Sequence, residues 1–491
     1  MNELEKFLEK CTAANVIPVV ETMTADLLTP LAVYLLLAGN EKDSFLFESV
    51  EGGESVSRYS FIGADPEAVV SGDAYATSII KNGIVINKNI SVWEHLKAHF
   101  YSKTFINDGD LPSFIGGTVG CFGFSCCEIF EPALQRSKRS TDTDAVSLMF
   151  YRSIVAFDHA KQIIQIITLV FTDEGSETLT EKFYAAKSAN KHIREQLEQG
   201  AIRLPKPTVP DGSNEVASNW KPEAFKKAVL EIKEKINAGD CYQVVISQCF
   251  TRPTKASSIS IYRAMRSMNP SPYMFLLHIG ERSVIGSSPE MLVRCEGERL
   301  EYRPIAGTRK RGADAAKDAA LAEEMRNDPK EISEHLMLVD LGRNDLGRVA
   351  EFGSVEVSGL MSVEKFSHVQ HLVSYLSAKL RTGYDRFDAF ASCFPAGTVS
   401  GAPKIKAIEI IHELEPTSRG IYSGAVGYFD YSGNMDTCIA IRTMVLENGV
   451  ATVQAGAGIV ADSDPEMEFI ETVNKAKALL KAIEIAEKGS I

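Results

Sequence analysis

The chain has no surplus of basic residues: 52 Lys and Arg stand against 65 Asp and Glu, a formal net charge of −13 over 491 residues. Nucleic-acid binding leaves a clustered positive footprint, so nucleic acid is not an expected partner. Long apolar runs are missing too. The longest near the start, Leu31 to Ala38 (LAVYLLLA), falls far short of the ~20 residues that cross a bilayer, so no membrane role is expected. The nine cysteines are odd in number and contain no C-x-x-C spacing, and the opening MNELEKFLEK lacks the apolar core of a signal peptide. Both absences point to a reducing, cytoplasmic compartment. No internal repeat is evident. What is present is a 45% hydrophobic composition and enough length for two or three domains of usual size.

Two helix starts carry paired carboxylates. In DPKEISEHLMLVDLGRNDLGR, Asp328 can serve as N-cap, Pro329 takes the first helical position, and Glu331 closes a D-x-x-E capping box. Ile332, Leu336 and Val339 are expected on the buried face, Glu331, Glu334 and Leu338 form another stripe, and Gly342 is expected to end the helix. A second Asp-Pro start at Asp464 carries Glu468 and Glu471, with Phe469, Val473, Ala476, Leu480 and Ile483 repeating at the helical period. Four carboxylates on two helices suit a hard divalent cation such as Mg2+, which keeps waters and takes further ligands from an anionic substrate. The same spacing also fits a solvated face, with Glu471 and Lys475 as an ordinary i, i+4 pair.

The remaining elements are grouped in runs of strands, not single strands between helices. This predicts an α+β fold of packed, largely antiparallel sheets flanked by helices. In the first region, 1–200, a helix is expected at Thr29 to Asn40 and strands at Ser44 to Ser49 and Tyr59 to Gly63. Further strand-like runs follow at Tyr75 to Ile86 and Val146 to Val170, with a helix around Ile90 to His99 and a polar one from Ser176 to Gln199. Gly116, Gly117, Gly120 and Gly123 are expected to loosen the middle of this region. The segment 201–219, rich in proline and small polar residues, reads as a linker. In the second region, 220–491, a helix is expected at Lys221 to Ala238. Strands follow at Cys241 to Phe250, Pro272 to His278, Ser283 to Gly286, Met291 to Glu296, Arg299 to Arg303, Gly424 to Asp430, Thr437 to Leu446 and Ala451 to Val460.

Three glycine-bearing stretches, Pro304 to Gly312, Phe394 to Ala407 and Gln454 to Gly458, read as turns and match no nucleotide-binding fingerprint. Glycine lets backbone amides approach a ligand, and Pro403 at a helix start leaves donors free for an anion. Arg442 and Lys404 are candidate carboxylate partners, or simply surface charges. His371, in SHVQHLVS, is placed on a helix, and Glu290 follows a strand. A buried carboxylic acid and a neutral imidazole together would equip an elimination from a polar substrate.

The motifs NPSPYMF, SSPEMLV, PIAGTRKRG, SEHLMLVDLGRNDLGRV, HVQHLVS, FPAGTVSGAPK, GAVGYF, DTCIAIRT and QAGAGIVADS occur in this order. They resemble the chorismate-binding enzyme family, and within it the large subunits of anthranilate synthases. The resemblance is dense from Trp220 to Lys481 and looser before it, through IPV, DLLTP and the FES strand. It implies Mg2+ held by Glu334 and Glu471 with Glu331 and Glu468 beside them, and chorismate held by Gly307, Thr308, Tyr422, Arg442, Gly456, Ala457 and Gly458. It implies catalytic roles for Glu290, as acid at the departing C4 hydroxyl, for His371 at the C2 proton, and for Thr398.

Members differ in nucleophile. Aminodeoxychorismate synthases commonly place a lysine where this chain has Ala306, and isochorismate and salicylate synthases place one where it has Gln243. Lacking both, the chain is expected to use ammonia and form anthranilate, with those synthases as the alternative. A tryptophan-binding regulatory subunit without turnover is a further alternative. No cysteine sits in a glutaminase-like nucleophile turn. The resemblance therefore implies a separate glutamine amidotransferase subunit, in a heterotetramer of two large and two small chains. It also implies feedback inhibition by L-tryptophan, the first step of whose synthesis this would be, at a pocket that includes Ser49, Pro272, Tyr273 and Met274.

Overall fold

The computed structural model describes residues 2–39, 43–49, 58–107, 109–135, 145–207, 215–365 and 369–489. Every strand pairing among these residues is antiparallel, in two sheets of twelve strands each, as the grouping of strands in the sequence predicted. Helices flank both sheets.

Strands from both sides of 201–219 share each sheet. In the first, Ser44–Glu48 pairs with Tyr273–Ile279, with Glu48 opposite Met274. In the second, Gly117–Phe122 pairs with Ala425–Asp430, with Gly120 opposite Gly427. Within the segment read as linker, Ala217 and Ser218 pair with Thr251 and Phe250. The tail of the helix expected at Thr29 to Asn40, and the stretch 50–57, lie outside the described residues.

The largest apolar core contains a dense group of aromatic side chains. Phe387 stacks on Phe429 with ring centroids 4.9 Å apart, and Trp93 meets Phe122, Phe390 and Phe429 around them. Such pairs add ~0.5–1.5 kcal/mol each beyond their buried area. The glycines expected to loosen residues 116–123 instead build a fully buried central strand. A Cβ on Gly117 would stand 2.2 Å from the Phe429 carbonyl oxygen, and one on Gly120 would stand 2.0 Å from that of Ser147. Close strand approach, not looseness, explains them.

Both acidic helices form. Pro329–Gly347 is capped by Asp328, whose carboxylate accepts from the Lys330 and Glu331 amides. The capping box does not close, because the Glu331 carboxylate turns to Arg309 at 2.8 Å. Gly342 does not end the helix; the Tyr302 ring lies 2.6 Å from where its Cβ would be, so it is a packing glycine. Leu336 is 42% exposed, and His335, Leu338, Val339 and Leu346 take the buried face. Pro465–Lys488 is capped by Asp464 onto Met467, and Gly489 follows it in the left-handed conformation.

Two further expectations are corrected. His371 lies on the strand Val369–Lys379, not on a helix. The run Thr437 to Leu446 is two strands in different sheets, Met435–Ile439 and Thr443–Glu447. Between them Arg442 adopts a positive φ of 50°, a conformation that costs a non-glycine residue roughly 1–3 kcal/mol.

Candidate active site

A cavity of about 910 Å³ opens where the two acidic helices meet the strand Val450–Ile459 and the Arg442 crossover. Of the residues expected at a site, Glu290, Thr398, Tyr422, Arg442, Gly456, Gly458, Glu334, Glu468 and Glu471 line it. Gly307, Thr308, His371, Ala457 and Glu331 are not on its wall.

Helical periodicity aims the acids. Lys330, Ser333, Glu334 and Met337 face the cavity from the first helix, and Glu468, Glu471 and Lys475 from the second. The crowding walls raise the Glu334 carboxyl above its ordinary range, and the charges of Glu331 and Glu471 add to the shift. Glu468 is raised by the same desolvation, opposed by a hydrogen bond from Ser463 and reinforced by Glu471. Among the described residues no three acidic, histidine or cysteine side chains converge closely enough to form a ready-made metal cage. Glu331 pairs with Arg309, and Glu471 with Lys475 at 2.6 Å. The Lys475 ammonium also donates to the Gly456 carbonyl at 3.0 Å. Its place on the wall, one further step along the Glu468–Glu471 stripe, was legible as spacing but not read as part of the site.

Glu290 sits between the strands Arg282–Ser288 and Met291–Glu296, its carbonyl accepting from the Ile439 amide at 3.0 Å. Burial pushes its carboxyl up to about 8, with the neighbouring Thr398 hydroxyl opposing the shift. Glu290 Oε1 and Thr398 Oγ1 are both buried with no hydrogen-bond partner among the described residues. A protonated acid is therefore aimed into the cavity at neutral pH.

The opposite side is cationic. Desolvation lowers the half-buried Arg442 guanidinium, with Tyr422 and Glu471 opposing, and among the described residues it makes no ion pair. An underserved guanidinium on a polar wall is suited to a planar carboxylate. Gly456 and Gly458 leave room beside it: a Cβ on the first would stand 2.6 Å from the Tyr422 hydroxyl, and on the second 2.4 Å from Gln243 Nε2. Ala457, between them, turns its methyl into the core. Lys404, expected as a second carboxylate partner, is instead tied inside the fold to Asp345 at 3.0 Å.

His371 stands next to this wall. Its Nδ1 lies 2.8 Å from the Gly307 carbonyl and 3.2 Å from Thr308 Oγ1, which fixes that nitrogen as the protonated one. Burial lowers the imidazole, Gly307 opposes the shift and Arg442 adds to it, so a neutral ring is favoured.

A second cavity, of about 660 Å³, contains Ser49, Pro272, Tyr273 and Met274 on one wall. It lies where the strands Ser44–Glu48 and Tyr273–Ile279 pair. Ser49 Oγ is buried with no hydrogen-bond partner among the described residues, Tyr273 donates to Asp436 at 3.1 Å, and Arg294 pairs with Asp436 at 2.7 Å. Phe47, Tyr59 and Met274 supply apolar surface.

Residues 42–481 match the family model described as chorismate binding enzyme. Anthranilate synthase component 1 of Aquifex aeolicus is 43% identical, over 97% of this chain and 96% of that protein. The crystal structure of anthranilate synthase component I from Streptococcus pneumoniae superposes with a TM-score of 0.74 at 33% identity, covering 94% of this chain and 99% of that one. The menaquinone-specific isochorismate synthase MenF of Escherichia coli, 19% identical with a TM-score of 0.70 over 98% of each chain, shares the fold alone. Near-full-length identity of this order, on a fold whose cavity gathers the motif residues, places the chain in the chorismate-binding enzyme family, among the large subunits of anthranilate synthases.

Proposed function

We propose that the chain converts chorismate and ammonia to anthranilate and pyruvate, as a Mg2+-dependent lyase at the first step of tryptophan synthesis. The observation that carries this reading is the meeting, in one cavity, of a protonated Glu290, a guanidinium without an ion pair at Arg442, and three carboxylates on two helices. Chorismate has two carboxylates. One meets Arg442 and the amides of the Gly456–Gly458 strand, with Tyr422 beside them, and two-point holding fixes the ring.

The three carboxylates suit a divalent cation: burial raises Glu334 and Glu468, the charge of Glu471 adds to both, and a cation among them would relieve each. Glu334 and Glu471 would hold Mg2+, with Glu468 and Glu331 behind them. Bound there, the ion supplies positive charge for the second substrate carboxylate. Glu290 donates its proton to the C4 hydroxyl, which leaves as water while ammonia attacks C2. The neutral His371 assists loss of the C2 proton, pyruvate departs from C3 and the ring becomes aromatic. Gln243 and Ala306 offer no amine at the two positions where relatives with other nucleophiles carry lysine.

Ammonia would come from glutamine through a separate amidotransferase subunit, in a heterotetramer of two large and two small chains in the cytoplasm. Incubation with chorismate, Mg2+ and ammonium salt at mildly alkaline pH should give anthranilate fluorescence. Isochorismate, salicylate or aminodeoxychorismate in its place overturns the reading. Glutamine should replace ammonium only after the amidotransferase is added; turnover of glutamine by this chain alone removes the need for that partner.

The second cavity is proposed as the site of tryptophan feedback. It combines an apolar slot for an indole with the buried Ser49 hydroxyl and a polar strand edge for an amino acid. Because it is a separate site, inhibition acts as a coupling free energy and raises the chorismate concentration needed for half-maximal rate. Ser49→Ala or Met274→Thr should weaken inhibition about tenfold, a loss of ~1.4 kcal/mol, and leave the uninhibited rate unchanged. Parallel loss of rate and inhibition would show that no separate site exists.

A further inference from the structure

We infer that Arg419 is a positioning residue, holding the catalytic cavity's inner wall in register from behind Tyr422. This rests on the reading of the cavity as the reaction site. The Arg419 side chain is 1% exposed, and Glu415, its partner at 2.7 Å, is 4% exposed. One guanidinium nitrogen, Nη1, donates to the Val399 carbonyl at 2.8 Å and to Ser423 Oγ at 3.1 Å. The other, Nη2, donates to the Val245 carbonyl at 2.7 Å and to Glu415 Oε1 at 2.7 Å, while Nε donates to Glu415 Oε2 at 2.9 Å. Glu415 in turn accepts from the Ser247 amide and hydroxyl, both at 2.8 Å, and Ser247 Oγ accepts from Gln454 Nε2 at 2.9 Å.

The bonds to Val245, Val399 and Ser423, and the far end of the Glu415–Ser247–Gln454 chain, fall on or next to the cavity wall. Val399 follows Thr398, Ser423 follows Tyr422, and Val245 and Gln454 line the cavity themselves. The guanidinium also lies over the Tyr422 ring, 5.5 Å from its centroid. Val245, Val399 and Ser423 thus meet on one planar fork, and Gln454 is joined to it through Glu415 and Ser247. Two of these segments are irregular there: Ser423 has a φ of 64°, and Thr398 lies in a one-turn helix, Gly397–Ser400. Both lie outside the named strands and are held by a few backbone bonds, such as Ser423 to Ala440 at 3.0 Å, to which the fork adds side-chain bonds. Arginine suits the task because its five donors are fixed in a plane, which lysine cannot reproduce.

The test separates positioning from stability. Arg419→Met combined with Glu415→Gln removes both buried charges and keeps an acceptor for Ser247. Removing both charges leaves no buried charge unpaired, but the Val245 and Val399 carbonyls lose their donor, so the melting temperature should fall by several degrees and rates are compared well below it. Anthranilate formation from chorismate, Mg2+ and ammonium should nonetheless fall in kcat/KM by about 100-fold, the scale of a misplacement near 1 Å. Arg419→Lys should lie between. In a Thr398→Ala background the loss on Arg419→Lys should shrink at least threefold, because part of what Arg419 holds is already gone. Wild-type rates in the folded double variant overturn the proposal, as do losses that simply multiply with Thr398→Ala. A wild-type chain that makes no anthranilate rejects the function itself and is told apart by running it in parallel.

Discussion

Replacing Glu290 with Gln is expected to lower kcat about 10³-fold while leaving the fold intact. At neutral pH the buried carboxyl, pushed up to about 8, is already uncharged, so the neutral amide fits the same place without a new burial cost. What it loses is the acidic proton. The pH dependence follows with a definite sign: the acid form is complete below about 8, so wild-type kcat falls as pH rises through that value. The variant should lack this alkaline limb. Free ammonia rises over the same range, so the profile must be measured with ammonia, not total ammonium, held constant. A variant that keeps a tenth of the rate and the same alkaline limb would remove Glu290 from the chemistry.

Glu334→Gln and Glu471→Gln should each raise the Mg2+ concentration needed for half-maximal turnover by 100-fold or more, taking ~10–100-fold as the effect of a mere supporting group. Each substitution removes one formal charge from the proposed ion site. Titration calorimetry with Mg2+ alone gives a readout that does not depend on turnover, and binding heat should vanish or weaken in both. Folding should be unaffected, because both side chains open into the cavity and the buried stripes of their helices lie elsewhere. Glu468→Gln should cost less than either, since Ser463 already engages that carboxylate. Unchanged Mg2+ affinity in both principal variants would return the two helices to ordinary solvated faces.

Where signals are local, the sequence was readable. Both Asp-Pro helix starts are found as expected, because an N-cap is decided by three or four neighbouring residues. The strand Val369–Lys379 was not readable, for a physical reason: Val369, Leu372, Val373 and Leu376 repeat at i, i+3, i+4 and i+7, the pattern of an amphipathic helix. Its pairing with Glu356–Lys365 on one side and with Arg299–Tyr302 and Ile305–Lys310 on the other overrides that period. The turn at Arg442 was equally hidden. A positive φ is normally marked by glycine or asparagine, and an arginine there gives no sign that one apparent strand serves two sheets. The resemblance to relatives named nine residues of the cavity wall, but it named them one by one. It did not show that Glu331 faces Arg309, that Lys404 is internal, or that one buried arginine ties Val245, Val399 and Ser423 together.

The sharing of both sheets by the two halves of the chain has a consequence for how the protein is made. Ser44–Glu48 finds its partner some two hundred residues later, and Gly117–Phe122 about three hundred later. During synthesis the early strands leave the ribosome with one edge unmatched and apolar. Neither sheet can be completed until Ala425–Asp430 and Val450–Ile459 have emerged. At ~5–20 residues per second, that leaves a nascent chain with exposed strand edges for tens of seconds. Residues 1–200 expressed alone should therefore aggregate and recover solubility when 215–491 is supplied in the same cell, a complementation measurable by anthranilate formation.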